Sequence, residues 1–250
     1  MSIVVCDPII SLHSKHLPHL MEWYAANKAK HGLVLNMEVG RPLQRVQDNA
    51  VKLAQKIKAS HVLFTEHDHW AYPVDGLDVL LEYDKDVIGL QTYQRGYPFL
   101  GMHMKKIKPE VSFICRERNL RQFEILDKVG QTDLITWAFT LVKTSVFNRI
   151  DAAGINCWIW DDVPTDSHFC QACEDLGIDR WICTEGTVYH GDVDDFSRPY
   201  FRRMFESLHA GRLSRAEGAM PAHDEDHAAE SIHETEAQRA IRQYAAGGMP

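Results

Sequence analysis

The stretch HVLFTEHDHWAYP, residues 61 to 73, holds three histidines, one glutamate and one aspartate around a short apolar run. Its first four residues predict a short buried strand. A carboxylate or imidazole placed just past the end of a strand projects into the crevice where open α/β sheets bind ligands. The stretch therefore predicts a ligand or metal site. The candidate groups are Glu66, His67, Asp68 and His69.

A second chemically capable pattern is the C-x-x-C formed by Cys170 and Cys173, a spacing that can bind zinc or support redox chemistry. No second C-x-x-C occurs. The surrounding TDSHFCQACEDLG has the Asp N-cap, periodicity and Gly stop of an amphipathic helix, so both thiols would lie one turn apart on its apolar face. We expect all six cysteines to be reduced and unbridged, because they are scattered through apolar or mixed surroundings.

Alternating periodicities define the elements that would position these groups. The first hundred residues predict strands at SIVVC, LVLNMEV, HVLF and DVIGLQTY, and helices at HLPHLMEWYAANKAKHG, PLQRVQDNAVKLAQKIKAS and VDGLDVLLEYD. This repeated β-α unit favours parallel strands joined by right-handed crossovers.

The second half of the chain predicts a mixed sheet. VSFICRE and RQFEILDKVG are plausible antiparallel additions, and DLITWAFTLVK predicts a strand that runs into the helix TSVFNRIDAAG. The predicted fold class is α/β: a single Rossmann-like domain with a mixed, mostly parallel central sheet flanked by helices.

Charge and hydropathy exclude some functions. A net charge of -8 and a pI near 5.9 argue against an extended nucleic-acid footprint. The sequence contains no apolar run of about 18 residues, so no transmembrane segment is predicted. MSIVVCDPII lacks the basic and longer apolar regions of a signal peptide. We therefore expect a cytoplasmic protein.

In the order of its landmarks, the chain resembles the GT-A glycosyltransferases, in particular compact members similar to family 2. HVLFTEHDHW resembles the strand that ends in the D-x-D triplet, with Glu66 and Asp68 in the acidic places. DLITWAFTLVKTSVFNRI resembles the central strand and helix of the acceptor side. TDSHFCQACEDLGIDRWICTEGTVYHGD resembles the E-D helix, Gly turn, strand and final histidine. The resemblance covers roughly residues 1 to 192.

The resemblance implies a metal site and a donor. Asp68 would be the first metal ligand, and His190 would complete the site from a distant part of the chain. Glu66 would touch ribose or a metal-bound water. His67 and His69 would contribute less to metal binding than Asp68 and His190. The cation would be Mn²⁺ or Mg²⁺, which stabilises the diphosphate leaving group of a nucleotide sugar. A UDP-sugar is the preferred donor.

The resemblance also implies a catalytic base. In an inverting transferase a carboxylate removes the proton of the acceptor hydroxyl, and Asp166 occupies the matching place. Asp161 and Asp162 are alternatives, and capping of a helix is the competing role of Asp166. Thr165 stands where many members have Glu, and Asp48-Asn49 replaces a common Arg-Asn pair. The absence of Q-x-x-R-W favours transfer of a single sugar.

Further candidates surround this centre. Glu38 and Asn49 lie near the expected nucleotide entrance. Arg95 is a candidate cation for the diphosphate, with an ordinary surface role as the alternative. Tryptophan faces stack on sugars, although tryptophans are also common core residues. The candidates for stacking on the acceptor or sugar are Trp137, Trp158 and Trp160.

Composition divides the chain into a predicted domain of residues 1–214 and a polar tail of residues 215–250. Within the domain, about 1–100 would bind the nucleotide and about 101–214 the acceptor. The tail is rich in Ala, His and Glu, and a helix within it could mediate homo-oligomerisation.

Two other functions fit the same residues. A metal-dependent hydrolase or phosphodiesterase could use Glu66, His67, Asp68, His69 and His190 to hold zinc or a metal pair. A non-catalytic module could bind a nucleotide sugar without a base. For a transferase, the acceptor could be a glycan, a protein, a small molecule or a modified base in viral DNA.

Overall fold

The computed structural model describes residues 2–9, 15–93, 101–113, 120–123, 125, 127–159, 161 and 163–191. Internal contacts divide the chain into Met1–Glu206 and Ser207–Pro250, and every described residue belongs to the first unit. The predicted tail over residues 215–250 lies outside the described residues.

Ten strands and five helices make up the described part of the chain. The strands are β1 Ile3–Ile9, β2 Leu33–Val39, β3 His61–Thr65, β4 His69–Trp70, β5 Val87–Thr92, β6 Met104–Lys106, β7 Leu120–Gln122, β8 Val129–Thr132, β9 Phe139–Lys143 and β10 Arg180–His190. The helices are α1 His16–His31, α2 Leu43–Ile57, α3 Gly76–Glu82, α4 Thr144–Ala152 and α5 Thr165–Asp175. None of these helices has the length and apolar character needed to span a membrane.

The central sheet has eight strands in the order β2-β1-β3-β9-β5-β10-β4, with β8 also paired to β10. β1, β2, β3, β5 and β10 run in one direction, whereas β4, β8 and β9 run in the other. The fold is therefore α/β with a mixed, mostly parallel sheet, as predicted. β6 and β7 form a separate two-stranded sheet.

β9 lies between β3 and β5 and is antiparallel to both. The sequence predicted that the first four strands would run parallel, but it did not predict this insertion. β9 can occupy the centre because its first four residues, Phe139 to Val142, are all buried, as in a strand covered on both faces.

A local signal ends the first helix. Gly32 ends α1 in the left-handed conformation, with φ of 60°, and its N–H donates to the carbonyl of Lys28. α2 presents Val46, Ala50 and Ala54 to the sheet, and all three are fully buried. Helices thus cover both sheet faces, each over its own apolar cluster.

Two predicted strands differ from the structure. In DLITWAFTLVK only Phe139–Lys143 forms a strand, because Asp133 and Leu134 bond through their N–H groups to the carbonyl of Met104 instead of continuing the ladder. In VSFICRE, residues 111–113 are not a strand, and the remainder lies outside the described residues.

Candidate functional site

The candidate site lies where β3 and β10 end, at the carboxyl edge of the sheet. The chain leaves β3 at Thr65, turns over residues 66–68 and returns as β4, which pairs antiparallel with the end of β10. This pairing places His69 opposite His190. The turn is closed by two backbone hydrogen bonds, from the N–H of His69 to the carbonyl of Glu66 and from the N–H of Gly191 to the carbonyl of Asp68.

Asp68, His69 and His190 form a three-residue cluster whose ligand atoms all lie within 4.8 Å of one another. His69 Nδ1 is 2.9 Å from Asp68 Oδ1, and His190 Nε2 is 3.5 Å from Asp68 Oδ2. The two imidazole rings stack with centroids 4.3 Å apart. The side chain of His69 is 1% exposed, whereas those of Asp68 and His190 are 13% exposed, so the cluster opens to solvent on one side.

The donor set of this cluster fits a divalent transition-metal ion. It offers two imidazole nitrogens and one carboxylate oxygen. This combination suits Mn²⁺ or Zn²⁺ and is less suited to an ion that prefers oxygen ligands, such as Ca²⁺. Glu66 Oε2 lies 3.6 Å from His69 Nδ1 and adds negative charge beside the cluster. His190 Nδ1 lies 3.2 Å from the carbonyl of Tyr93, a contact that orients the ring and leaves Nε2 directed at Asp68.

The structure brings Asp68 and His190 together and adds a third residue to them. The sequence analysis expected His69 to contribute less than Asp68 and His190, and the structure places it in the same cluster as both. The reason is the two-residue strand β4, which turns the chain back and sets His69 against β10. Glu66 remains next to the cluster, while His67 is not one of its three members.

A buried polar network that the sequence analysis missed contacts the backbone of the cluster at His69. Asp7 on β1 is fully buried and accepts a hydrogen bond from the hydroxyl of Thr65, with an O–O distance of 2.8 Å. His16 Nε2 lies 3.0 Å from Asp7, and His16 Nδ1 lies 2.7 Å from the carbonyl of His69. The hydroxyl of Tyr72 donates to that same carbonyl. A charged residue inside the apolar strand IVVCDPI was the available signal.

The geometry of this network shifts the pKa values of His16 and Tyr72. Both ring nitrogens of His16 face acceptors, Asp7 on one side and the carbonyl of His69 on the other. Burial lowers the pKa of His16, but the hydrogen bond and charge of Asp7, with the bond to His69, outweigh burial and raise it. Burial, and then the charges of Asp7 and Glu66, raise the pKa of Tyr72 well above its usual value, so its hydroxyl stays protonated.

The amino end of α1 lies next to the cluster, because its first residue, His16, bonds to the carbonyl of His69. Lys15 precedes this helix, and its Nζ lies 4.5 Å from the ring centroid of Trp70. The indole N–H of Trp70 donates to the carbonyl of Gly191, so Trp70 also ties β4 to the end of β10. A helix N-terminus and a lysine provide positive charge beside the cluster.

Asp166 lies in the first turn of α5, where Pro164, rather than Asp166, is the N-cap residue. Its Oδ1 accepts a hydrogen bond from the N–H of Ser167, with an N–O distance of 2.7 Å. Burial raises the pKa of this carboxyl to about 6, although that hydrogen bond opposes the shift. Asp161, the alternative base, contacts His168 at 3.1 Å, and this contact lowers its pKa.

The tryptophans divide between the core and its edge. Trp137 is 1% exposed, and its ring packs against Phe64 and Phe169 at centroid distances of 4.3 and 4.7 Å. Its faces are thus covered by core residues, which favours a packing role over stacking on a sugar. Trp158 is only partly buried and packs on Phe147.

The predicted donor-binding residues separate into two groups. Glu38 on β2 and Asn49 on α2 meet through a hydrogen bond of 2.9 Å from the Asn49 amide to the Glu38 carboxylate. Asn49 therefore holds Glu38 in place near the carboxyl edge of the sheet. Arg95 lies outside the described residues, as do the alternative base Asp162 and the stacking candidate Trp160.

Comparisons with known proteins support the fold and no more. No protein-family model matches the chain, and no curated protein sequence matches it. The crystal structure of A197 from STIV is similar, with a TM-score of 0.50 and 14% identity, over 76% of this chain and 85% of that one. The inositol-1-phosphate CTP transferase from T. maritima has a TM-score of 0.42 and 11% identity, over 82% and 94%. The first likeness shows a shared fold, and the second is too distant to carry an argument.

Proposed function

We propose that the chain is a metal-dependent glycosyltransferase that moves one sugar from a nucleoside diphosphate sugar to an acceptor hydroxyl. The observation that carries this proposal is the meeting of Asp68, His69 and His190 at the carboxyl edge of an α/β sheet. This edge is where folds of this class bind their ligands. The order of sequence landmarks that resembles GT-A transferases supports the same conclusion.

The roles of the residues follow from their chemistry. Asp68, His69 and His190 would hold Mn²⁺ or Mg²⁺, with the two nitrogens favouring Mn²⁺. The bound cation would supply Lewis-acid stabilisation of the diphosphate leaving group. Lys15 and the amino end of α1 would add positive charge on the side of the diphosphate, because N–H groups at a helix start attract phosphate oxygens.

Asp166 is the proposed general base. Its pKa of about 6 leaves the carboxylate ionised at neutral pH while keeping it more basic than an ordinary aspartate. A base with a pKa near the working pH combines the correct protonation state with a strong drive for proton transfer. This role requires an inverting reaction, in which the acceptor attacks the sugar from the face opposite the diphosphate.

The proposal is tested by melting the protein with uridine diphosphate in the presence and absence of Mn²⁺. At a ligand concentration of about 100 times Kd, binding stabilises the folded state by about 2.7 kcal/mol, which corresponds to roughly 5 to 10 °C for a chain of this size. The shift should require the metal and should be nearly lost in Asp68→Asn. Asp48→Asn is the matched control, because Asp48 pairs with Lys52 on the surface of α2.

An equal shift without metal in wild type and Asp68→Asn would remove the cation from the proposal. Sugar transfer itself is measured by release of uridine diphosphate from UDP-sugars when candidate acceptors are added. Donor hydrolysis that no acceptor accelerates would count against transfer.

The second candidate is a metal-dependent hydrolase. The two imidazoles with one carboxylate favour it, because this is also a common ligand set of catalytic zinc. The hydrolase would retain zinc through purification and bind it with no nucleotide present. Metal analysis of the purified protein, followed by the same melting experiment with Zn²⁺ alone, separates the two functions.

A further inference from the structure

A cleft lies at the opposite edge of the sheet, where β3 begins. Its volume is about 430 Å³, and it is bounded by the end of α2, the start of β3 and the start of α4. Six polar residues in its wall matter here: Lys58, His61, Lys143, Thr144, Ser145 and Asn148. Among the described residues that line the cleft, none is acidic. The five residues of β3 span about 16 Å, so this cleft is distinct from the metal cluster.

Two lysines give the cleft its charge. Lys58 ends α2 in the left-handed conformation, with φ of 54°, and its N–H bonds to the carbonyls of Ala54 and Gln55, so the backbone that carries this lysine is well anchored. Lys143 Nζ contacts Asp84 and Asp86 at 2.9 and 3.2 Å. These carboxylates are 83% and 47% exposed, and ion pairs with exposed partners are weak. Nζ of Lys143 also donates to the carbonyl of Asp84, at 3.2 Å. A bound anion would compete with these exposed partners for Lys143.

The start of α4 supplies neutral donors. This nine-residue helix has no acidic residue in its first turn. Thr144 is 6% exposed, and its hydroxyl oxygen is buried without a hydrogen-bond partner among the described residues. Leaving a buried hydroxyl unpaired is destabilising, and an acceptor in the cleft would remove that cost. Asn148 accepts a hydrogen bond from Gln55 through Oδ1, which directs its amide nitrogen to other acceptors.

His61 lies in the wall of the same cleft as Lys143. Its Nδ1 lies 2.9 Å from the hydroxyl oxygen of Ser60. Burial, and then the positive charge of Lys143, lower the pKa of His61. Lys143 therefore acts on His61 electrostatically, and the charge of Asp84 opposes it.

We propose that this cleft binds a small phosphate-bearing anion through Lys58, Lys143 and the hydroxyl and amide donors at the start of α4. Lysines and helix N-termini are common phosphate ligands, and the volume accommodates more than a phosphate group. The ligand is either inorganic phosphate or the phosphate of a monoester such as a sugar phosphate. The proposal is independent of the metal cluster.

The test measures Kd for inorganic phosphate by calorimetry, with chelator present and with ionic strength held constant by chloride. Lys58→Asn should weaken binding at least about tenfold, because it removes a charged hydrogen-bond donor, and Asn tolerates the left-handed backbone. The matched control is Lys52→Asn on the same helix, which removes a lysine outside the cleft. It should bind phosphate as wild type does.

Thr144→Val provides a second variant with an opposite signature. Without phosphate its melting temperature should equal or exceed that of wild type, because the change removes an unpaired buried hydroxyl in an isosteric way. Its affinity for phosphate should nevertheless fall. The ring signals of His61 in NMR spectra should move as phosphate is added.

Titration with a sugar phosphate distinguishes the two sources. Tighter binding than that of inorganic phosphate identifies a monoester, and equal binding identifies the phosphate group alone. The proposal is overturned if wild type shows no saturable phosphate binding, or if Lys58→Asn and Lys52→Asn weaken it equally.

Discussion

Replacement of Asp166 by Asn should stabilise the folded protein at neutral pH. The carboxyl has a folded pKa of about 6 against an ordinary value of 3.8, so ionising it costs the folded state about 3 kcal/mol at most. Because Asp166 is only partly buried, we expect a gain of about 1 to 3 kcal/mol from Asp166→Asn at pH 7.5. The amide oxygen of Asn can still accept the hydrogen bond from the N–H of Ser167.

The pH dependence of this gain follows from the raised pKa. The unfolded chain loses the proton near pH 3.8 and the folded chain near pH 6, so this group makes wild type less stable as pH rises between those values. The deficit persists above pH 6. The difference between Asp166→Asn and wild type should therefore be largest above pH 6 and should become small as pH falls to 4.

Urea unfolding at several pH values between 4 and 7.5 measures this difference. Wild type alone does not reveal it, because His103 acts in the opposite direction: burial lowers its pKa to about 4, and protonating it costs stability as pH falls from 6.5. Subtracting wild type from the variant at each pH cancels the effect of His103. A gain that is independent of pH, or no gain at pH 7.5, would show that the carboxyl is not strained by burial.

Three further substitutions are informative. His69→Ala should abolish most of the metal-dependent melting shift with uridine diphosphate, as loss of His190 should, and a full shift in His69→Ala would place His69 outside the metal site. His103→Gln should flatten the stability profile between pH 6.5 and 4, measured by urea unfolding, and a slope like that of wild type would show that His103 is protonated in the fold. Gly89→Ala should lower the free energy of unfolding by about 2 kcal/mol, because its Cβ would lie 2.6 Å from Thr140 Oγ1; a smaller cost would mean that β9 can shift.

Local signals explain why most elements could be predicted from the sequence. β2 spans Leu33–Val39, as LVLNMEV predicts. Gly32 ends the preceding helix, and the spacing of apolar residues then changes from that of a helix to that of a strand. The helix predicted at TDSHFCQACEDLG forms over Thr165–Asp175, with Cys170 and Cys173 buried and unbridged. The five cysteines in the described part of the chain are all free, as expected.

The features that the sequence did not predict depend on contacts between distant parts of the chain. β4 has two residues, too few for any periodicity, so the register that sets His69 against His190 depends on the packed sheet. The contact of Asp7 with His16 joins a strand to a helix start, and no spacing rule predicts it. β9 enters the centre of the sheet from a distant part of the chain, which strand order in the sequence does not reveal.

The joining of β4 to the end of β10 has a consequence for folding. A cation held by Asp68, His69 and His190 would act as a cross-link that closes a loop of more than 100 residues. A cross-link over a loop of this length lowers the entropy of the unfolded chain. This stabilises the folded state by about 4.7 kcal/mol if the unfolded state cannot hold the ion. Hydrogen exchange at the amides of Trp70 and Gly191 would then slow together on addition of the metal, while the start of β10, anchored by β5 and β8, would change little.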